Sequence, residues 1–283
     1  MNTTRTMTYV VGGKYTINEK IGEGAFGKIF LGENKNTGEH VAVKIERSDE
    51  NSPLRNEARI YAALKGATGI PNMRTWGNEG KFNYLVLDLL DNSLEDKLDR
   101  CGGTFEIKMV VHIGLQMILH MTEIHRRGII HRDIKPSNFM FGNKNQDDNL
   151  YMIDFGLAKT YMNKGSHVER REGKSVIGTP RFISINTHNG ITPSRRDDLE
   201  SLGYILIYLI LGGLPWQEYY SRDERENRSK ICEVKRNIDL WNLSKDNNIP
   251  GEIILFIEYC RNLRYEQKPN YTYLTNLLMQ ILD

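Results

Sequence analysis

Near residue 90 the chain changes its period, and that change narrows the folds open to it. Upstream, short β-rich runs alternate with turn residues. Tyr15-Thr16-Ile17 leads into a glycine-rich turn, and Lys28-Ile29-Phe30-Leu31 leaves it. Asn36-Thr37-Gly38 reads as a hairpin turn, Val41-Ala42-Val43-Lys44-Ile45 as the next strand and residues 84–87 as another. One helix interrupts this half: Ser52-Pro53 supplies an N-cap and a first-turn proline, and Ile60 and Leu64 share an apolar face. Beyond Asp91 the pattern turns helical. Ser93-Leu94-Glu95-Asp96 opens one helix, residues 110–124 form a longer one, and residues 202–211 are apolar enough to be buried all round. The expected fold is α+β in two lobes. A mainly β lobe spans 15–88, a hinge 89–92 and a mainly α lobe 93–282, after a Thr-rich arm over 1–14.

Bulk properties exclude several classes. A chain of 283 residues can bury a large core. The formal charge of +2 gives no global field for nucleic acid or an anionic membrane. The longest apolar run, residues 202–211, is half the roughly 20 residues that span a bilayer. The three cysteines, Cys101, Cys232 and Cys260, are far apart and odd in number, so they read as reduced thiols. No charged-then-apolar leader opens the sequence. A monomer in the cytoplasm is expected, with the nucleus as the alternative, and with neither nucleic acid nor membrane as partner.

Four motifs carry chemistry. Gly22-Glu23-Gly24-Ala25-Phe26-Gly27 matches G-x-G-x-x-G, which in dinucleotide-binding folds opens a helix. Here the residues after Gly27 are β-rich, so the turn joins two strands. Such a flap lies over phosphates, its glycines letting backbone N–H groups approach. Val41-Ala42-Val43-Lys44 ends a strand in an ammonium, for which Glu57 on the following helix is the expected partner. His131-Arg132-Asp133-Ile134-Lys135-Pro136-Ser137-Asn138 matches H-R-D-x-x-x-x-N in full. A short strand over 151–153 then runs into Asp154-Phe155-Gly156. Each motif has a bland reading as a hairpin, a strand end or a turn. Their joint occurrence in this order does not.

In that order the chain resembles protein kinases over about residues 15–282. The resemblance implies ATP and Mg2+ as cofactors and the hydroxyls of protein substrates as acceptors. Asp133 would orient the attacking hydroxyl, and Lys135 would neutralise the transferred group in the serine/threonine pattern. Asn138 and Asp154 would hold metal, while Lys44, held by Glu57, would meet the phosphates. Ile21, Ile29, Ala42 and Met140 would sandwich adenine, Leu87 would close the back of the pocket, and Asp88 and Leu90 would form the hinge. Asp198 would cap the catalytic loop from below.

A finer resemblance is to the casein kinase 1 family. It rests on residues 178–188, which end in Ser-Ile-Asn-Thr-His where other kinases have Ala-Pro-Glu, and on residues 194–204. Leu214-Pro215-Trp216-Gln217, residues 90–96 and Lys268-Pro269 add to it. That family favours acidic or phosphorylated sites, so Arg181, Lys174, Arg170 and Arg171 are the expected anion readers. Glu169 and Glu172 are their competing internal partners. Glu224 and Asn227 stand where the family has lysines, which removes one basic wall. Activity without activation-segment phosphorylation is implied, although Thr160, Tyr161, Ser166 and Ser175 are candidate phosphosites. A scaffold lacking transfer, or a phosphotransferase for small molecules, are the competing readings; the peptide-docking segment 178–188 argues against the second.

Overall fold

The computed structural model describes residues 9–24, 27–49, 52–143, 148–163, 165–217 and 223–283. The amino-terminal region is a curled antiparallel sheet. Its strands are β1 (Tyr9–Val11), β2 (Tyr15–Gly24), β3 (Gly27–Asn34), β4 (His40–Arg47), β5 (Met73–Glu79) and β6 (Phe82–Asp88), in the order β1-β2-β3-β4-β6-β5. Alternation sorts the faces. Val41 and Val43 of β4 are fully buried with Val86 and Tyr15 in a small core of their own. Residues 9–11, expected within an unpaired arm, instead pair with residues 15–17 as an edge strand. Val11 is apolar and buried, which repays its ordering.

Helix α1 (Pro53–Ala63) begins as its sequence dictates. Ser52 accepts a hydrogen bond from Arg55 N, and Pro53 takes the position where a missing N–H costs nothing. Its inward face carries Leu54, Ala58, Ile60 and Tyr61, and Glu57 with them.

The carboxy-terminal region is helical. It opens with α2 (Leu94–Arg100), whose capping box pairs Ser93 with Asp96. Helix α3 (Ile107–Arg126) and the short strands β7 (Ile129–Ile130), β8 (Phe139–Phe141), β9 (Leu150–Met152) and β10 (Lys159–Thr160) follow. The remaining helices are α4 (Ile185–His188), α5 (Arg195–Leu211), α6 (Glu224–Asn237), α7 (Leu240–Asn247), α8 (Gly251–Asn262) and α9 (Tyr271–Gln280). Helix α5 is buried nearly all round and packs on α3 and α8. It reaches further than its apolar run suggests, because Arg196, Asp197, Asp198 and Glu200 are buried too, each with polar partners. Among the described residues no helix is long and apolar enough to cross a membrane.

One contact between the two regions is unusually tight. Gly69, in the loop before β5, sits at φ +72°, and a Cβ there would lie 1.9 Å from Nε2 of the buried His120 on α3. Gly69 O also accepts from Met152 N at 2.8 Å. Gly69→Ala is therefore expected to cost about 2–4 kcal/mol in urea unfolding, from left-handed strain plus overpacking. An unchanged midpoint would show that the His120 ring can turn aside.

Candidate active site

Between the sheet and the helical region lies a cavity of about 510 Å3. Strands β2 and β3 cover it through Ile21, Gly22, Glu23, Gly24 and Ile29. Ala42 and Lys44 reach it from β4, residues 87–90 form its rear edge, and Met140 of β8 forms its floor. Sheet register explains the shared face: Ile29 stands opposite Lys44, and Ala42 opposite Leu87. The Asp88 carboxylate is engaged by Asn72 and Arg74, and Asp88 N donates to Asn72 O at 3.1 Å. The Asp88 carboxylate and N–H are thus already engaged within the sheet. Ala25 and Phe26 lie outside the described residues. Gly27 does not line the cavity; a Cβ there would lie 2.5 Å from Ile45 O, so that glycine serves the packing of β3 on β4.

Lys44 is the centre of a buried charge chain. Its Nζ lies 2.7 Å from Glu57 Oε2 and 2.9 Å from Asp154 Oδ1. Burial alone would push the ammonium down, but the charges of Glu57 and Asp154 outweigh it and hold Lys44 above its ordinary value. Burial favours a neutral Asp154 as well, yet Lys44 holds its carboxyl below the usual range. Asp154 has φ 61°, a left-handed turn that a β-carbon resists. Phe155 anchors that turn: it is fully buried, with its ring 5.1 Å from Tyr61 and 5.0 Å from His131.

The loop 131–138 is held from beneath. Asp198 on α5 accepts from His131 N at 2.8 Å, Arg132 N at 2.9 Å and His125 Nε2 at 3.0 Å. Arg132 is itself left-handed at φ 71°, so this carboxylate secures a strained backbone. The result presents Asp133 to the cavity. Its Oδ2 lies 2.8 Å from Lys135 Nζ, and its Oδ1 accepts from both Thr179 N at 2.9 Å and Thr179 Oγ1 at 2.8 Å. Asn138 commits its amide nitrogen to Asp133 O at 2.8 Å, so its oxygen is the end available for a cation.

A model of the protein kinase domain matches residues 15–278. The chain belongs to the protein kinase family. Its sheet and helical regions are the two lobes of the kinase fold, and the cavity is the cleft between them. As a protein kinase it is an ATP-dependent transferase acting on protein substrates. Protein kinases generally use Mg2+, and the donor set suits that cation. Among the described residues no group of three or more His, Cys, Asp or Glu side chains could cage a metal. One carboxylate and one amide oxygen beside a nucleotide cavity are what a hard cation needs when phosphates supply the other oxygens.

The kinase also uses residues that sequence reasoning gave no part. Thr179 fastens the activation segment to Asp133. Lys235, wholly buried on α6, donates to Pro180 O at 2.8 Å and Ile183 O at 2.7 Å, and Trp216 Nε1 donates to Arg181 O at 2.8 Å. Burial pushes the Lys235 ammonium well down. Gly178-Thr179-Pro180 and Trp216 were visible as motif residues; a lysine within a charged helix gives no such signal.

The four expected anion readers do not converge. Arg170 pairs with Glu172 at 2.7 Å and Arg171 with Glu169 at 3.2 Å, as the competing reading had it. Arg181 lies 3.2 Å from Glu95 and over the rings of Phe182 and Tyr208. Lys174 lines a separate recess beside α6. Tyr161 is buried and donates to His125 O at 2.6 Å, which removes it from the candidate phosphosites.

Proposed function

We propose that this kinase is a serine/threonine kinase of casein kinase 1 type that prefers acidic or phosphorylated sites, with lobes at 15–88 and 93–282 joined by a hinge at 89–92. The observation that carries the serine/threonine reading is the Asp133 carboxylate shared between Lys135 and Thr179. An acceptor hydroxyl placed against Asp133 would give its proton to that carboxylate, while the ammonium of Lys135, held at the same carboxylate, stays available to the transferred oxygens. The casein kinase 1 reading rests on the segments 178–188 and 194–204.

Each further residue has one task. Ile21, Ile29, Ala42 and Met140 sandwich adenine; Leu87 closes the rear; the Asp88 carbonyl and the Leu90 backbone give hinge hydrogen bonds. Gly22, Glu23 and Gly24 cover the phosphates. Lys44 is fixed by Glu57 to hold the α- and β-phosphates. Asp154 and Asn138 hold Mg2+, which when bound neutralises charge on the phosphate oxygens. Of Arg181, Lys174, Arg170 and Arg171, Lys174 is the strongest candidate for reading substrate charge, because the three arginines are each already paired with a carboxylate.

The test is transfer from ATP with Mg2+ to three matched peptides: one with phosphoserine three residues before the target serine, one with acidic residues there and one neutral. Faster transfer to the first two is expected. Equal rates on all three would remove the anion preference and keep the kinase. Transfer to none would refute the activity.

A further inference from the structure

The hydrogen bonds beneath the loop 131–138 do not end at Asp198. His125 on α3 meets Asp198 Oδ2 through Nε2 at 3.0 Å, and its Nδ1 lies 2.8 Å from the hydroxyl of Tyr271. Tyr271 is the first residue of α9, which packs on α3 and α8. The start of that helix is fixed from two sides. The side chain of Asn270 accepts from Tyr273 N, and Asn270 N donates to the hydroxyl of Tyr259 on α8 at 2.7 Å. Tyr271 does not line the cleft.

The two nitrogens of His125 decide which way each bond runs. Asp198, held ionised by its donors, can only accept, so Nε2 carries hydrogen. Burial holds the imidazole below its ordinary value; Asp198 opposes this without prevailing, and Arg195 and His131 add to it. A neutral ring with hydrogen on Nε2 has a bare Nδ1, which can only accept. The hydroxyl of Tyr271 therefore donates, and that bond selects the tautomer. The ring is almost wholly buried, with Tyr161 edge-on at 6.4 Å and His125 O accepting from the Tyr161 hydroxyl.

We propose that Tyr271 is a positioning residue of the kinase reaction, its hydroxyl setting the His125 tautomer and, through Asp198, the backbone of His131 and Arg132 that presents Asp133. The inference rests on the kinase reading and on the task given there to Asp133. Without the hydroxyl either tautomer is penalised. Hydrogen on Nε2 leaves Nδ1 an unpaired buried acceptor. Hydrogen on Nδ1 sets the bare Nε2 against Asp198, lone pair to lone pair. In both cases the ring loosens its hold on the carboxylate, and Arg132 at φ 71° depends on that carboxylate.

Tyr271→Phe removes one oxygen and keeps the ring. It is expected to lower kcat for peptide phosphorylation about tenfold, with KM for ATP and peptide within about twofold. Amide exchange at His131 and Arg132, read by NMR, should quicken about tenfold while the thermal midpoint shows a folded chain. Imidazole nitrogen spectra of the unsubstituted chain should place the His125 proton on Nε2, and the variant should lose that single tautomer. Replacing Tyr271 by p-aminophenylalanine restores a donor and should recover most of kcat. Tyr273→Phe, on the exposed side of the same helix, should change none of these. With His125→Phe, the double variant should lose no more kcat than the His125 variant alone. A kcat for Tyr271→Phe within twofold of the unsubstituted chain overturns the proposal. So do additive losses in the double variant, or a lowered thermal midpoint with amide exchange at His131 and Arg132 unchanged. Intact transfer with the His125 proton on Nδ1 refutes the relay alone. No transfer by the unsubstituted chain, with the exchange and tautomer changes as expected, refutes the kinase activity alone.

Discussion

Asp133→Asn is expected to lower kcat for peptide phosphorylation by about 10³-fold or more, equivalent to about 4 kcal/mol of transition-state stabilisation. The substitution is nearly isosteric, so Thr179 keeps an acceptor and the activation segment keeps its tether. The negative charge disappears, and with it the capacity to take a proton from the acceptor hydroxyl. Lys135 loses the partner that holds it at 2.8 Å. Nucleotide affinity should stay within about threefold, since Lys44, Glu57 and Asp154 form a charge chain without Asp133. Steady-state kinetics together with equilibrium nucleotide binding separate the two effects. A kcat within tenfold of the unsubstituted chain would refute the role of Asp133. A parallel loss of nucleotide binding would mean that the cleft, and not the proton acceptor, had been damaged.

The arrangement of this site was legible in the sequence wherever it is built from contiguous residues. The loop 131–138, the turn at 154–156 and the strand segment 41–44 each carry a fixed spacing, because their polar side chains sit at set offsets along one short stretch of backbone. Glu57 could be chosen by its place on α1, since Ser52-Pro53 fixes where that helix starts. Contacts between distant segments were not legible in any local pattern, and the one expected, Asp198 beneath the loop 131–138, came from the family resemblance. Thr179 meets Asp133 across 46 positions, and Lys235 meets Pro180 across 55. No local period marks such pairs. Gly27 shows a subtler limit. It completes a phosphate-binding pattern, yet its missing Cβ is needed against Ile45 O. The partners of the arginines were legible only in part, because a sequence shows charges and not what meets them: Glu169 and Glu172 could be named as competing partners, and they pair with Arg171 and Arg170. Glu95, 86 positions before Arg181, engages that arginine and gave no such signal.

Asp198→Ala should be the most damaging single change to the helical lobe. The carboxylate is almost wholly buried and serves three donors: His125 Nε2, His131 N and Arg132 N. Removing it leaves the buried His131 amide and the half-buried Arg132 amide without their acceptor and frees Arg132 from the bond that holds its left-handed turn. The expected cost is about 3–5 kcal/mol in chemical denaturation. Loss of loop geometry should lower kcat by about 10²-fold even where the variant is folded. The effect carries a pH signature. Burial favours the neutral acid, but His125 and the backbone donors prevail and hold Asp198 below its ordinary value of 3.8. Its folded state therefore binds fewer protons than the unfolded chain. The stability it contributes is present above that value and lost as pH falls through the depressed one. The stability difference between the unsubstituted chain and Asp198→Ala should accordingly be constant from pH 7 to about 5 and shrink below about 4. Equal stability of the two proteins at neutral pH would mean that the loop is organised by its own sequence, and the left-handed Arg132 would then need no support from α5.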